Sequence, residues 1–204
     1  MIAYASRTGT RRNLDGLRAA GWRLLVSPGN ERTEGFPYAL DNGAWPAFQR
    51  GGDLDELAFG SAVDRLGEGA DFVVAPDVVA GGPRSLELTL GWLPRLAGLR
   101  VLVAVQDGFA EADVAPLLDA RVGVFVGGTT EYKLATMREW ARVAHERGGR
   151  CHVGRVNTRR RIRLCQDARV DSFDGTSASR YALTLPLLDD AIRQGHLFGG
   201  SIAV

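Results

Sequence analysis

The chain has 204 residues, a formal net charge of +1, 45% hydrophobic residues and two cysteines, Cys151 and Cys165. That length suits a single domain over 1–204 with a sizeable core, and the composition excludes a disordered polymer. The charge gives no global attraction for a polyanion, and the cysteines give neither a disulfide framework nor a CxxC spacing. No apolar run approaches the roughly 18 residues of a membrane span, and the opening "MIAYASRTGTRRN" does not read as a signal peptide. A soluble cytoplasmic protein with no membrane partner is expected. The basic residues are almost all arginine, with Lys133 the single lysine. The planar, bidentate fork of arginine suits phosphate contacts.

Eight short apolar runs follow in chain order: 2–5 "IAYA", 23–27 "RLLVS", 38–41 "YALD", 72–77 "FVVAPD", 100–107 "RVLVAVQD", 122–128 "VGVFVGG", 151–156 "CHVGRV" and 170–174 "VDSFD". Several are apolar almost throughout, as in parallel strands buried on both faces. Helical patterns separate most of them. Residues 53–67 put Leu54, Leu57, Ala58, Ala62 and Leu66 on one face, with Asp53 as N-cap. A second helix is expected over 82–98, with Pro94 as a kink or stop. The clearest covers 131–149, with a stripe of Leu134, Met137, Trp140, Ala141 and Ala144 closed by Gly148 and Gly149. Shorter patterns cover 158–168 and 180–195. Eight strands alternating with helices predict an α/β fold, a compact single (β/α)8 TIM barrel. The link between the second and third runs is too short for a crossover helix, so one βα unit is abbreviated. A doubly wound open sheet is the alternative.

Polar residues or glycines close six of the eight runs: Asp41 and Asn42, Asp77, Gln106 and Asp107, Gly127 and Gly128, Asn157, and Asp174 with Gly175. In a parallel barrel those ends meet at one mouth, where active sites sit. Each residue alone also suits a turn or a helix cap. Thr129 or Thr130 before Glu131 reads as a helix start, and the glycines before it would let a flat ligand or a phosphate come close to the backbone.

"DNGAW" (41–45), "APDVV" (75–79), "VAVQDG" (103–108), "VGGTTE" (126–131) and "VDSFDGT" (170–176) occur in the order found in tRNA-guanine transglycosylases and their DNA-modifying relatives. The motifs of that superfamily look like D-S-G-G-F, D-E-C, V-Q-G-G, G-G-x-x-x-G-E and V-D-x-F-D-C. Its members are TIM barrels that exchange guanine in a polynucleotide for a 7-deazaguanine base. The resemblance implies a pentosyltransferase with Asp174 as nucleophile and Asp41 as general acid/base. It implies that Asp77 binds the amidine edge of guanine, and that Gln106 and the Gly127–Gly128 backbone meet the base carbonyl. Glu131 would sit near the 7-substituent, although "GGTTE" is shorter than the family spacing. Asn42 belongs to the same substrate-binding set. Asp171 is the other candidate nucleophile, although period-2 alternation turns it away from Asp174.

The departures carry information. The tRNA enzymes hold zinc on three cysteines and a histidine after the last strand, whereas no cysteine follows Asp174 here. No metal and no cofactor are expected, and His152 and Cys165 read as packed residues. The short chain resembles the phage-type DNA-guanine transglycosylases, which would place the protein in a host cytoplasm. The implied partners are DNA or another polynucleotide and a free 7-deazaguanine base, with a homodimer or a partner protein as a possible clamp. Arg159, Arg160, Arg161 and Arg163 after the seventh run, and Arg7, Arg11 and Arg12 after the first, read equally as phosphate contacts and as a solvated helix face. A base in duplex DNA would have to flip out, and Trp45 or Tyr181 could stack on it. The alternatives are a tRNA-directed enzyme, a nucleoside or nucleotide glycosidase, a non-catalytic nucleic-acid-binding subunit, and a phosphate-binding barrel enzyme built on "VGGTT".

Overall fold

A computed structural model describes residues 1–7, 10–180 and 183–198. Eight parallel strands close into a barrel in sequential order: β1 (Ile2–Ser6), β2 (Arg23–Val26), β3 (Tyr38–Leu40), β4 (Val73–Val74), β5 (Val101–Val105), β6 (Val122–Val126), β7 (Cys151–Val153) and β8 (Ser172–Gly175). β8 closes on β1, with Tyr4 opposite Asp174. This is the (β/α)8 barrel, and the open-sheet alternative falls away. The helices are α1 (Arg11–Ala19), α2 (Ala44–Gln49), α3 (Glu56–Leu66), α4 (Pro83–Trp92), α5 (Glu111–Val114), α6 (Thr130–Glu146), α7 (Arg159–Asp167), α8 (Ser177–Arg180) and α9 (Thr184–Phe198). No helix lies between β2 and β3, so that unit is the abbreviated one. None of the described helices is long and apolar enough to cross a membrane.

Alternation along each strand divides the core in two. In β5, Val101, Val103 and Val105 pack outward against the helices, while Leu102 and Ala104 point into the barrel. Tyr4, Ala39, Phe72 and Val74 join the inner set, with Leu25 and Phe125 against it. On the last two strands the outward residues are Cys151, Val153 and Phe173. The inward positions of β7 and β8 are therefore polar: His152, Ser172 and Asp174, all buried.

Several local expectations shift. α3 is capped by Asp55, whose side chain accepts from the Ala58 N–H, and not by Asp53. Its buried face is Phe59, Gly60, Ala62 and Val63, while Leu57 is 85% exposed. The two aspartates are equivalent as caps on paper. α4 stops at Trp92, ahead of Pro94. In α6, Met137, Trp140, Ala141 and Ala144 are buried as expected, but Leu134 is exposed and Lys133 takes a buried place. α1 and α2 appear where no helix was anticipated. α1 buries only Leu17, and α2 starts at a left-handed Gly43 and contains Pro46, so neither carries a long apolar stripe. The helix expected over 180–195 is found as α9, with the short α8 ahead of it.

Candidate active site

The carboxyl ends of the strands surround a cavity of about 770 Å³. Leu25, Val74, Ala104 and Phe125 form its apolar lining, and the small Ala104 side chain leaves space above the barrel core. Of the site residues expected from sequence, Asp41, Asn42, Asp77, Gln106, Gly127, Gly128 and Asp174 all line it. They come from the ends of β3, β4, β5, β6 and β8, so one chamber collects residues up to 133 positions apart in the chain.

Asp41 follows β3 directly. One of its oxygens accepts from the Gly43 N–H at 3.3 Å, and Gly43 can take that position because it adopts φ 85°. Burial first, then the charges of Asp174 and Asp77, push the Asp41 carboxyl up to about 7. Burial pushes Asp77 up to about 6, opposed by its hydrogen bond from Asn42. Asn42 is buried and fully used: it donates to Ala75 O and Asp77 Oδ1, both at 2.7 Å, and accepts from the Ala44 N–H at 2.8 Å. It therefore orients Asp77 and starts α2.

Gln106 is also engaged. Its amide donates to Val78 O at 2.8 Å and accepts from the Ala80 N–H at 2.6 Å, fixing the wall between β4 and α4. One donor hydrogen remains for a ligand. Asp107, the neighbouring strand-end carboxylate, is a helix cap. It accepts from the Thr129 N–H at 2.7 Å and from the Thr129 hydroxyl at 2.6 Å, and these bonds hold it below the usual carboxylate range. Thr129 in turn caps α6. Gly128 has φ 72°, and a Cβ there would run into Asp107.

Asp174 lies at the mouth end of β8, 6% exposed. Its Oδ1 contacts His152 Nε2 at 3.1 Å, and its Oδ2 accepts from the Arg155 N–H at 3.3 Å. Gly175 is needed next to it, because a Cβ would strike the Val156 carbonyl and Asn157. Asp171 is elsewhere: it precedes β8 and binds His145 Nε2 at 2.8 Å and the Cys151 N–H at 2.7 Å, and it does not line the cavity.

Other expected residues stay outside the chamber. Glu131 is exposed in the first turn of α6 and does not line the cavity. Arg11, Arg12, Arg159 and Arg160 are exposed and also lie off the cavity wall. Arg163 binds Gln194 on α9 at 3.0 Å, and Arg7 pairs with Glu34 at 2.6 Å. Arg161 lines a small cleft beside the cavity with Lys133 and Arg155. Tyr181 lies outside the described residues. Trp45 does line the cavity, stacked with Phe48 at 5.9 Å between ring centroids.

Sequence reading missed Arg155 and Arg180, which both line the chamber. Arg155 follows β7 with φ 60°, its guanidinium lies 4.0 Å over the Trp45 ring, and it donates to Gly128 O at 2.5 Å. It therefore joins three segments of the rim. The sequence signal was its place at a strand end, within "HVGRVN". Among the described residues, no group of three or more His, Cys, Asp or Glu is arranged to hold a metal ion.

No family model matches the chain, and no curated protein matches it. Solved structures do. One is the Amycolatopsis orientalis BexX/CysO complex, at 15% identity and TM-score 0.62 over 100% of this chain and 93% of that one. A second, described as "Native KDPGal structure", has 11% identity and TM-score 0.59, covering 96% of each chain. A third is 3-hexulose-6-phosphate synthase from Salmonella typhimurium, at 16% identity and TM-score 0.55 over 96% of this chain and 100% of that one. At these identities the likeness establishes the TIM-barrel fold.

Proposed function

We propose that the protein is an enzyme, a base-exchange transglycosylase that replaces guanine in a polynucleotide with a 7-deazaguanine through a covalent glycosyl-aspartate. DNA is the preferred substrate in this reading. The observation that carries it is the meeting of Asp41, Asp77 and Asp174 around one chamber, with Asp41 pushed up to about 7 and Asp174 in contact with His152.

The chemistry follows from those environments. An Asp174 oxygen attacks C1′ of the target nucleotide as the bond from C1′ to the base nitrogen breaks. The electron pair leaves on the base, and a proton from Asp41 neutralises it. A carboxyl titrating near neutrality is suited to that task. The incoming base then gives its ring proton to Asp41, its nitrogen attacks C1′, and the Asp174 carboxylate departs. Configuration at C1′ is retained. Asp77, oriented by Asn42, accepts from the adjacent N–H donors of the guanine edge. Trp45 offers a ring beside the chamber on which a flipped base or its neighbour can stack. Arg155 and Arg180 supply positive charge at the same rim.

The experiment is an exchange assay. Purified protein receives radiolabelled guanine or a 7-deazaguanine with duplex DNA, single-stranded DNA or tRNA, and the products are digested and read by nucleoside mass spectrometry. The expected result is incorporation into DNA, absent with Asp174→Ala. Release of free base without incorporation would favour a glycosidase, and incorporation into tRNA alone would change the substrate.

A further inference from the structure

His152 is completely buried, yet the barrel interior around it is built from aromatic and apolar side chains. Its ring stacks on Phe125 at 4.9 Å and 20°, and meets Phe72 at 5.1 Å and Tyr4 at 5.7 Å. Another hydrophobic residue would fill this layer, and burying an imidazole costs free energy unless its nitrogens are bonded. Both are. Nδ1 lies 2.8 Å from Ser172 Oγ and Nε2 lies 3.1 Å from Asp174 Oδ1. The two partners are two apart on β8, hence on the same inward face, and His152 is the cross-strand neighbour of Ser172. Three rings fix the plane of the imidazole and one strand fixes its rotation about that plane.

We propose that His152 is the positioning residue of the nucleophile, holding Asp174 Oδ1 so that Oδ2 faces the sugar carbon. This rests on the transglycosylase reading above. With the Ser172 hydroxyl donating to Nδ1, the imidazole carries its proton on Nε2 and donates it to Oδ1. Oδ2 has only the Arg155 N–H at 3.3 Å among the described residues, which makes it the oxygen left for the sugar carbon. When Oδ2 bonds to C1′ and the base leaves with the electron pair, Oδ1 becomes the ester carbonyl and keeps its donor. When the second base attacks, the electron pair returns to the carboxylate, and the same donor stabilises Asp174 as the leaving group. No proton is transferred to or from His152 in either step. Its contribution belongs to the transition states, so it should appear in kcat and not in base binding.

The test compares His152→Leu, which fills the volume without a donor, with His152→Gln, whose amide nitrogen can reach where Nε2 reaches, and with Ser172→Ala. Thermal melts establish that each variant is folded. Losing one donor to a charged group predicts a fall in kcat of about 10- to 100-fold for His152→Leu, with KM for the free base within about twofold. Gln should recover most of the loss, and Ser172→Ala should fall between. Independently of activity, ¹⁵N spectra of the imidazoles should give an Nε2-protonated signal that disappears in His152→Gln and shifts in Asp174→Asn. Wild-type kcat in a folded His152→Leu, a Gln variant no better than Leu, or an Nδ1-protonated ring would overturn the proposal. If the wild-type protein exchanges no base with any polynucleotide, the functional reading fails separately. The spectra then decide alone: an Nε2–H signal that answers to Asp174→Asn upholds the coupling, and its absence overturns it.

Discussion

Asp41 and Asp174 reach one chamber from β3 and β8, and the charge of Asp174 is, after burial, the largest influence raising the Asp41 carboxyl. Two carboxylates in one partly dry site cannot both ionise freely. Asp174 has the Arg155 N–H and the His152 ring nitrogen beside it, and Asp41, pushed up to about 7, is suited to carry the proton in the proposed exchange.

This shift has a signature in stability. A carboxyl raised to about 7 in the native state binds a proton that the unfolded chain, with its ordinary value of 3.8, has already released. The native state is therefore progressively disfavoured as pH rises from about 4 to about 7. Asp41→Asn removes that penalty. It should raise the melting temperature by about 10 °C at pH 8 and leave it unchanged near pH 4, while abolishing exchange. Thermal melts across pH check this. A variant less stable than wild type at pH 8 would contradict it.

Asp77→Asn keeps the shape of the site but replaces an ionic acceptor by a neutral amide. Steady-state kinetics should show KM for the free base rising about 10- to 100-fold, with a smaller change in kcat, because the lost bond is made in both ground and transition states. Calorimetric titration with a 7-deazaguanine should weaken by the same factor.

Arg155 combines a left-handed backbone with two side-chain contacts. Arg155→Ala loses the contacts and keeps the unfavourable φ, which should cost about 2 kcal/mol in urea denaturation. Arg155→Gly loses the same contacts but relieves the backbone, and should be more stable than the Ala variant by about 0.5–1 kcal/mol. That order is the reverse of the usual one within regular elements.

Gly128→Ala should destabilise by about 2 kcal/mol or more, since it strains a φ of 72° and pushes on the Asp107 carboxylate that caps the start of α6. The same change should weaken ligand binding, because Gly128 O is held by Arg155 at the rim. Denaturation and titration of one variant test both.

The barrel was legible because most of its strands are apolar on both faces, so eight runs stood out, and the helical patterns over 53–67, 131–149 and 158–168 fall on α3, α6 and α7. Asp41, Asp77 and Asp174 were legible because strand ends converge in a parallel barrel whatever the details. The same logic cannot separate Asp107 from them: only the position of Thr129 makes it a cap. His152 was read as packing, which is half right. That its nitrogens meet Ser172 and Asp174 depends on β7 and β8 register, which no local pattern states. Arg155 and Arg180 were missed for a similar reason. A run of charge marks a helix face, but the cations that line the chamber are Arg155 and Arg180, one at a strand end and one closing a single-turn helix.

The most direct measurement is a search for the covalent intermediate. The protein is incubated with a guanine-containing DNA oligonucleotide, denatured, and digested, and the peptides are mapped by mass spectrometry. The account predicts a DNA adduct that survives denaturation and maps to Asp174, absent in Asp174→Asn. An adduct on Asp171, or exchange that proceeds in Asp174→Asn, would contradict it.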